Sequence, residues 1–306
     1  MDRRGRRARA LIAAALALAA AAPGDAPLPP IREARWVDPA ARFMTLSREP
    51  AECLVLPPPG PARRSVEIGR AAFRAPLLLG GQGARAGLSC ASCHRNGRGN
   101  PAFLFPGLSG APGTADVTSS LMSSHRGDHQ VNPKPIPDLG GPRERLKIPR
   151  DRESGKLEAF IHGLVTEEFD GPEPPPEVLG ALADYVRALQ PEGCGRRDRP
   201  IRLADRLSEA ERAVRLARGA DPATARMLIA AARSTLGAVD ERFRRPGLER
   251  DRDLLLAADA ELRAIRDGTG RPDAWLARWP ARRARLLGDE GRSLYAPRIL
   301  SSALAN

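Results

Sequence analysis

GLSCASCHRNG, residues 87–97, is the stretch on which the reading of this chain turns. Cys90 and Cys93 stand three apart, and His94 follows the second cysteine directly. Three chemistries use two cysteines at that spacing: covalent haem attachment, tetrahedral zinc and thiol–disulfide exchange. Haem attachment needs two thiols one backbone turn apart to meet two vinyl groups, and an adjacent imidazole to bind iron. Cys-x-x-Cys-His meets each need. Zinc has candidates of its own, since His125 and His129 stand at His-x3-His spacing. However, residues 94 through 124 separate Cys93 from His125, against the roughly 12–15 of a zinc finger. Zinc also leaves the position of His94 unexplained. Exchange chemistry expects a βαβ surround that the flanks do not show. The pattern therefore predicts one covalently attached haem c on Cys90 and Cys93, with His94 as proximal iron ligand.

The amino terminus supplies a matching compartment. MDRRGRRARA is a basic run and LIAAALALAAAA an apolar one, followed by small residues at Ala20 and Ala22 and then PGDAPLPP. Basic start, short apolar run and small-residue exit predict a secretory signal peptide over 1–26, with a periplasmic or otherwise exported protein. The apolar run is too short for a comfortable membrane span, and no later segment is long enough. The mature form is thus expected without a transmembrane segment, although an uncut signal would tether it. Cytochrome c maturation takes place outside the cytoplasmic membrane, so export strengthens the haem reading. The other two cysteines, Cys53 and Cys194, sit in connections marked by proline or glycine and bracket all four histidines. In an oxidising compartment they are expected to pair. The closed loop would be worth up to ~4–5 kcal/mol in the chain-entropy model.

The expected fold is all-α: a haem domain with long loops, followed by a C-terminal helical bundle. Residues 27–62 read as a polar, proline-punctuated lead-in, and 63–196 as the haem domain, mixing short helices with Gly/Pro-rich loops. From 201 to 306 the pattern turns helical throughout. Leu203, Leu207, Ala210 and Val214 share one face, and Asp221 with Pro222 opens the next helix. Leu228, Ala232, Thr235, Val239 and Phe243 form its stripe, and Leu255, Ala258, Leu262 and Ile265 that of a third. PDAWLARWPARRARLLG, interrupted by Pro280, predicts a broken fourth helix. This tail carries no cysteine or histidine and suggests no catalysis.

Two helices flank the motif. SVEIGRAAF predicts one capped by Ser65, with Gly69 and Phe73 at i, i+4, and PEVLGALADYVRALQ another, with Leu182 and Tyr185 at i, i+3. This arrangement resembles the class I cytochrome c fold, in which the first and last helices cross through such a glycine–aromatic and leucine–aromatic set. The resemblance covers roughly Ser65 to Gln190. More closely, IGRAAFRAPLLLGGQGARAGLSCASCH is similar to the run before the haem motif in the bacterial dihaem cytochrome c peroxidase and MauG group. GLSGAPGTADVTSS, NPKPIPDL and KLEAFIHGLVTEEFDGPEPPPEVLGALADYVRAL resemble later segments of that group. Those enzymes carry two Cys-x-x-Cys-His motifs and this chain carries one, so an internal two-haem relay is excluded and peroxidase activity does not follow from the resemblance alone. The resemblance also implies a backbone carbonyl that orients the proximal imidazole, for which Pro101 and Pro106 in NPAFLFPG are candidates.

The sixth iron ligand has several candidates. His162, in the apolar segment LEAFIHGLV, is favoured, with Met122 the alternative; His125 and His129 are acid/base candidates should the site be open to peroxide. Arg95 and Arg98 are placed to meet haem propionates. Gly80, Gly81 and Gly83 lack the Lys-Ser/Thr ending of a phosphate loop and read as a turn. A net charge of +12 points to an acidic redox protein as partner rather than to nucleic acid, because no Lys/Arg tract interleaves with aromatics. The expected function is a periplasmic monohaem electron-transfer protein. The competing readings are a peroxidase-like enzyme with an external electron donor, and a haem-bearing sensor or assembly subunit whose C-terminal helices bind a protein partner.

Overall fold

The computed structural model describes residues 31–125, 130–142, 146–195 and 198–305. The expected signal peptide and His129 lie outside them. The chain is mostly helical, as expected, with only short two-residue strands among the described residues. In chain order the helices are α1 (Arg42–Ser47), α2 (Pro61–Ala72), α3 (Gly81–Arg85), α4 (Cys90–Cys93), α5 (Lys156–Gly163) and α6 (Pro176–Ala188). Then follow α7 (Leu203–Ala217), α8 (Pro222–Arg242), α9 (Glu249–Arg266), α10 (Pro272–Gly288) and α11 (Pro297–Ala305). Strands β1 (Arg48–Glu49), β2 (His94–Arg95), β3 (Arg98–Gly99), β4 (Thr114–Ala115), β5 (Lys134–Pro135) and β6 (Arg199–Pro200) pair antiparallel as β1–β6, β2–β3 and β4–β5. Among the described residues no helix is long and apolar enough to cross a membrane.

Helices α2 and α6 cross at the point the sequence marks. A Cβ on Gly69 would fall 1.9 Å from the carbonyl oxygen of Ala181, so only glycine allows this approach. One turn on, the Phe73 and Tyr185 rings meet edge to face with centroids 5.1 Å apart. Helix α2 starts earlier than expected. Gly60, at φ +149°, precedes Pro61 at the first helical position, where its missing N–H costs nothing. Ser65 therefore lies inside the helix, and its hydroxyl donates to Asp184 of α6 at 2.8 Å instead of capping.

The C-terminal helices share a core with this crossing. Ile68 of α2 and Ala181 of α6 belong to the same buried cluster as Leu203, Leu207, Val214, Leu228, Val239 and Leu255. The predicted stripes point inward and Asp221 caps α8, its carboxylate accepting from the amides of Ala223 and Thr224. Helix α10 is continuous through Pro280 rather than broken. Trp275 and Trp279 stack at 4.5 Å within it, and Trp275 donates to the Ala258 carbonyl of α9. That buried contact holds the helix where local propensity would break it.

The lead-in is an integral layer. Strand β1 pairs with β6, Leu54 bridges Leu189, and the predicted Cys53–Cys194 disulfide joins the lead-in to the segment after α6. Arg/Glu pairs tie the same segment to both helical groups. Glu52 binds Arg70 of α2 and Arg74 just beyond it, and accepts from the Tyr185 hydroxyl at 2.7 Å. Arg74 also reaches Glu209 of α7 at 2.9 Å. Glu49, only 2% exposed, pairs with Arg199 and Arg206, and Glu33 pairs with the buried Arg242 of α8. Burial alone would raise the Glu52 and Glu33 carboxyls, but the facing guanidiniums win and bring each down to about 2.

Candidate functional site

The turn bearing the cysteines is built from its neighbours. The Ala91 amide donates to the Phe73 carbonyl, which docks α4 on the end of α2. Ser89 and Ser92 cap the turn reciprocally, and Asn100 donates to the Ser92 carbonyl at 2.8 Å. The chain then leaves the helix at His94 and reverses through Asn96 and Gly97, both at positive φ (52° and 72°), to pair β2 with β3. An Asn-Gly dipeptide is the strongest short-range signal for such a two-residue hairpin, and it stands in plain view in RNGR.

This hairpin decides which carbonyl meets His94. It swings Pro101 away, to pack against Gly113. The β4–β5 ladder returns residues 136–138 beside Gly97 and Gly99, where the Leu139 amide donates to the Gly97 carbonyl. The imidazole Nδ1 lies 3.0 Å from the carbonyl oxygen of Pro137. Pro137, not Pro101 or Pro106, is thus the orienting residue. It lies in the quoted segment NPKPIPDL, too far along the chain for local pattern to link it to His94.

The electrostatics of His94 follow from this setting. Burial pulls its pKa down to about 4, outweighing the Pro137 carbonyl and the Asp138 charge, which act the other way. The ring is therefore neutral near pH 7. A carbonyl can only accept, so Nδ1 carries the proton and Nε2 keeps its lone pair. Among the described residues no hydrogen bond occupies Nε2. Burial likewise pushes the Cys90 thiol up to about 11 and that of Cys93 up to about 12, the latter with help from the charge of Cys90. Exchange-active cysteines are shifted the opposite way, toward the thiolate. Cys90 packs on the cluster of Phe73, Leu182 and Tyr185, and Cys93 on that of Leu79, Phe103, Phe105 and Met122. Two thiols set against apolar clusters beside a neutral, oriented imidazole fit the donor set of haem c.

The other predicted residues are distributed as follows. Met122 is 1% exposed within the cluster that Cys93 joins. His162, on α5, is half-exposed, and its Nε2 lies 2.9 Å from the Glu173 carboxylate. His125 is largely exposed, 3.9 Å from Asp170. Among the described residues, which leave out His129, no group of three or more His, Cys, Asp or Glu is gathered to hold a metal ion. Arg95 donates to the Thr45 carbonyl, and Arg98 pairs with Asp138 at 2.7 Å. Comparison of this chain with family models, curated proteins and solved structures gives no match.

Proposed function

We propose that this chain is an exported monohaem c-type cytochrome that carries single electrons. The observation that supports this most is the pairing of Cys90 and Cys93 on one turn with His94, whose Nδ1–H is engaged by Pro137 and whose Nε2 has no hydrogen bond among the described residues. Cys90 and Cys93 would form the thioether links, and His94 would supply the proximal nitrogen. Haem c, when bound, contributes a one-electron iron couple. The protein's part is to fix the imidazole, keep it neutral and pack apolar side chains against the thiols. The α2–α6 crossing through Gly69, Phe73 and Tyr185 supports a class I cytochrome c-like arrangement. The net charge of +12 suits docking on an acidic redox protein.

For the second axial position, the burial of Met122 in the cluster beside Cys93 supports it over His162, which is committed to Glu173. Met/His ligation carries a higher potential than bis-histidine ligation.

The test is the visible spectrum of the exported full-length chain, with haem staining after denaturing electrophoresis. One haem per chain that survives denaturation, and is abolished by Cys90→Ser with Cys93→Ser, is expected. A colourless chain, or colour lost on denaturation, would overturn the reading. A low-spin ferric spectrum unchanged by peroxide or cyanide separates electron transfer from peroxidase chemistry. Met122→Ala should turn the iron high-spin, while His162→Ala leaves it low-spin.

A further inference from the structure

The carbonyl that holds His94 belongs to a short loop clamped on both sides. On one side is the hairpin: Leu139 donates to Gly97, and Arg98 pairs with Asp138, whose carboxylate also accepts the Gly140 amide at 2.9 Å. On the other side is the disulfide. A Cβ built on Gly140 would fall 2.6 Å from both Cβ and Sγ of Cys53, so the loop backbone lies directly against the bridge. Cys53 is fully buried there, and its carbonyl accepts the Gln190 amide at 2.7 Å. Arg150 closes the top, donating to the Leu139 carbonyl and to the carbonyls of Val186 and Leu189 at the end of α6.

We propose that the Cys53–Cys194 disulfide is a positioning device for the His94 imidazole. It acts through Gly140 to keep the Pro137 carbonyl on Nδ1–H. The part concerning haem rests on the function proposed above; the part concerning the ring does not. A bridge that only fastened the lead-in would need no contact with this loop. Here the bridge is its wall, and Gly140, which lies against it, stands three positions from Pro137, whose carbonyl fixes the ring's rotation and tautomer. A firm Nδ1–H···O bond makes an imidazole a stronger electron donor through Nε2. Loosening it should therefore raise the reduction potential of iron bound there.

The experiment compares the full chain with the double variant Cys53→Ala, Cys194→Ala and with Gly140→Ala, in which the bridge is kept but the loop is pushed off it. The first readout is hydrogen exchange of the His94 Nδ1–H by NMR, which needs no haem. Exchange faster by about tenfold in the folded variants is expected, consistent with weakening of one hydrogen bond. The second readout is the midpoint potential of the haem-loaded chain, expected to rise in both variants. Should the double variant fail to fold, Gly140→Ala alone decides. Unchanged Nδ1–H exchange in a folded variant, even with a lowered melting temperature, would overturn the proposal and leave the bridge a fastener. A chain that takes up no covalent haem refutes the function above but leaves the exchange arm intact.

Discussion

Gly97 shows how much a single position settles. Its backbone is left-handed at φ +72°, and a Cβ there would fall 2.4 Å from the Leu189 side chain at the end of α6. Gly97→Ala strains the turn and pushes on α6 together, so a loss of about 1–3 kcal/mol is expected in thermal or urea denaturation. Gly69→Ala is worse placed, because the obstructing atom is the backbone oxygen of Ala181 and cannot rotate aside. About 3 kcal/mol, or failure to fold, is the expected outcome. At this scale the sequence is legible where partners are adjacent. Cys90, Cys93 and His94 are read directly because the chemistry that unites them spans five residues. Pro137 is not, because it reaches His94 only through a hairpin and a second ladder, 43 positions along the chain. Local pattern carries the hairpin but not what the hairpin brings home.

Among elements, the lead-in departs most from its sequence reading. Its prolines and charges read as a polar lead-in, yet Ile31, Val37, Leu46 and Cys53 are buried and its glutamates face arginines on α2, α7 and α8. The charged residues carry the attachment, and a charge's partner across a fold leaves no periodic trace. Stripes of leucine and alanine do, which is why α7, α8 and α9 were legible. Glu52→Gln leaves Arg70 without its carboxylate and Arg74 with Glu209 alone in a mostly buried site. Breaking such a pair costs about 3–5 kcal/mol, to be measured against Glu67→Gln, whose partner Arg63 is exposed. Acid should act on the same element. Glu33 and Glu52 are held at about 2 when folded and return to the ordinary 4.5 when unfolded. Between those values the unfolded chain binds more protons, so their contribution is complete above pH 4.5 and lost as pH falls toward 2. Melting temperature followed from pH 6 to 2.5 should fall mainly below 4.5, and the fall should shrink in Glu52→Gln.

For the whole molecule, the helical tail and the crossing of α2 and α6 are one body. Removing residues 201–306 strips the cover from Ile68 and Ala181 and takes away Arg206, Glu209 and Arg242. The remaining piece is expected to bind a hydrophobic dye and to lose cooperative melting. A cooperative, dye-silent fragment would show instead that the tail is an appendage.

This closure also sets an order of events. Under the function proposed here, a chain exported amino terminus first would present residues 90–94 before Cys194, β6 and the tail have emerged. Until then β1 has no partner strand and Cys53 no partner thiol. Once β1 meets β6 and Cys53 meets Cys194, both thiols are partly covered and held protonated. Under the function proposed here, covalent loading has a time window that ends when the carboxyl-terminal third arrives. Haem and reductant added to the folded, oxidised apoprotein should give no covalent product, whereas the same mixture added during refolding should.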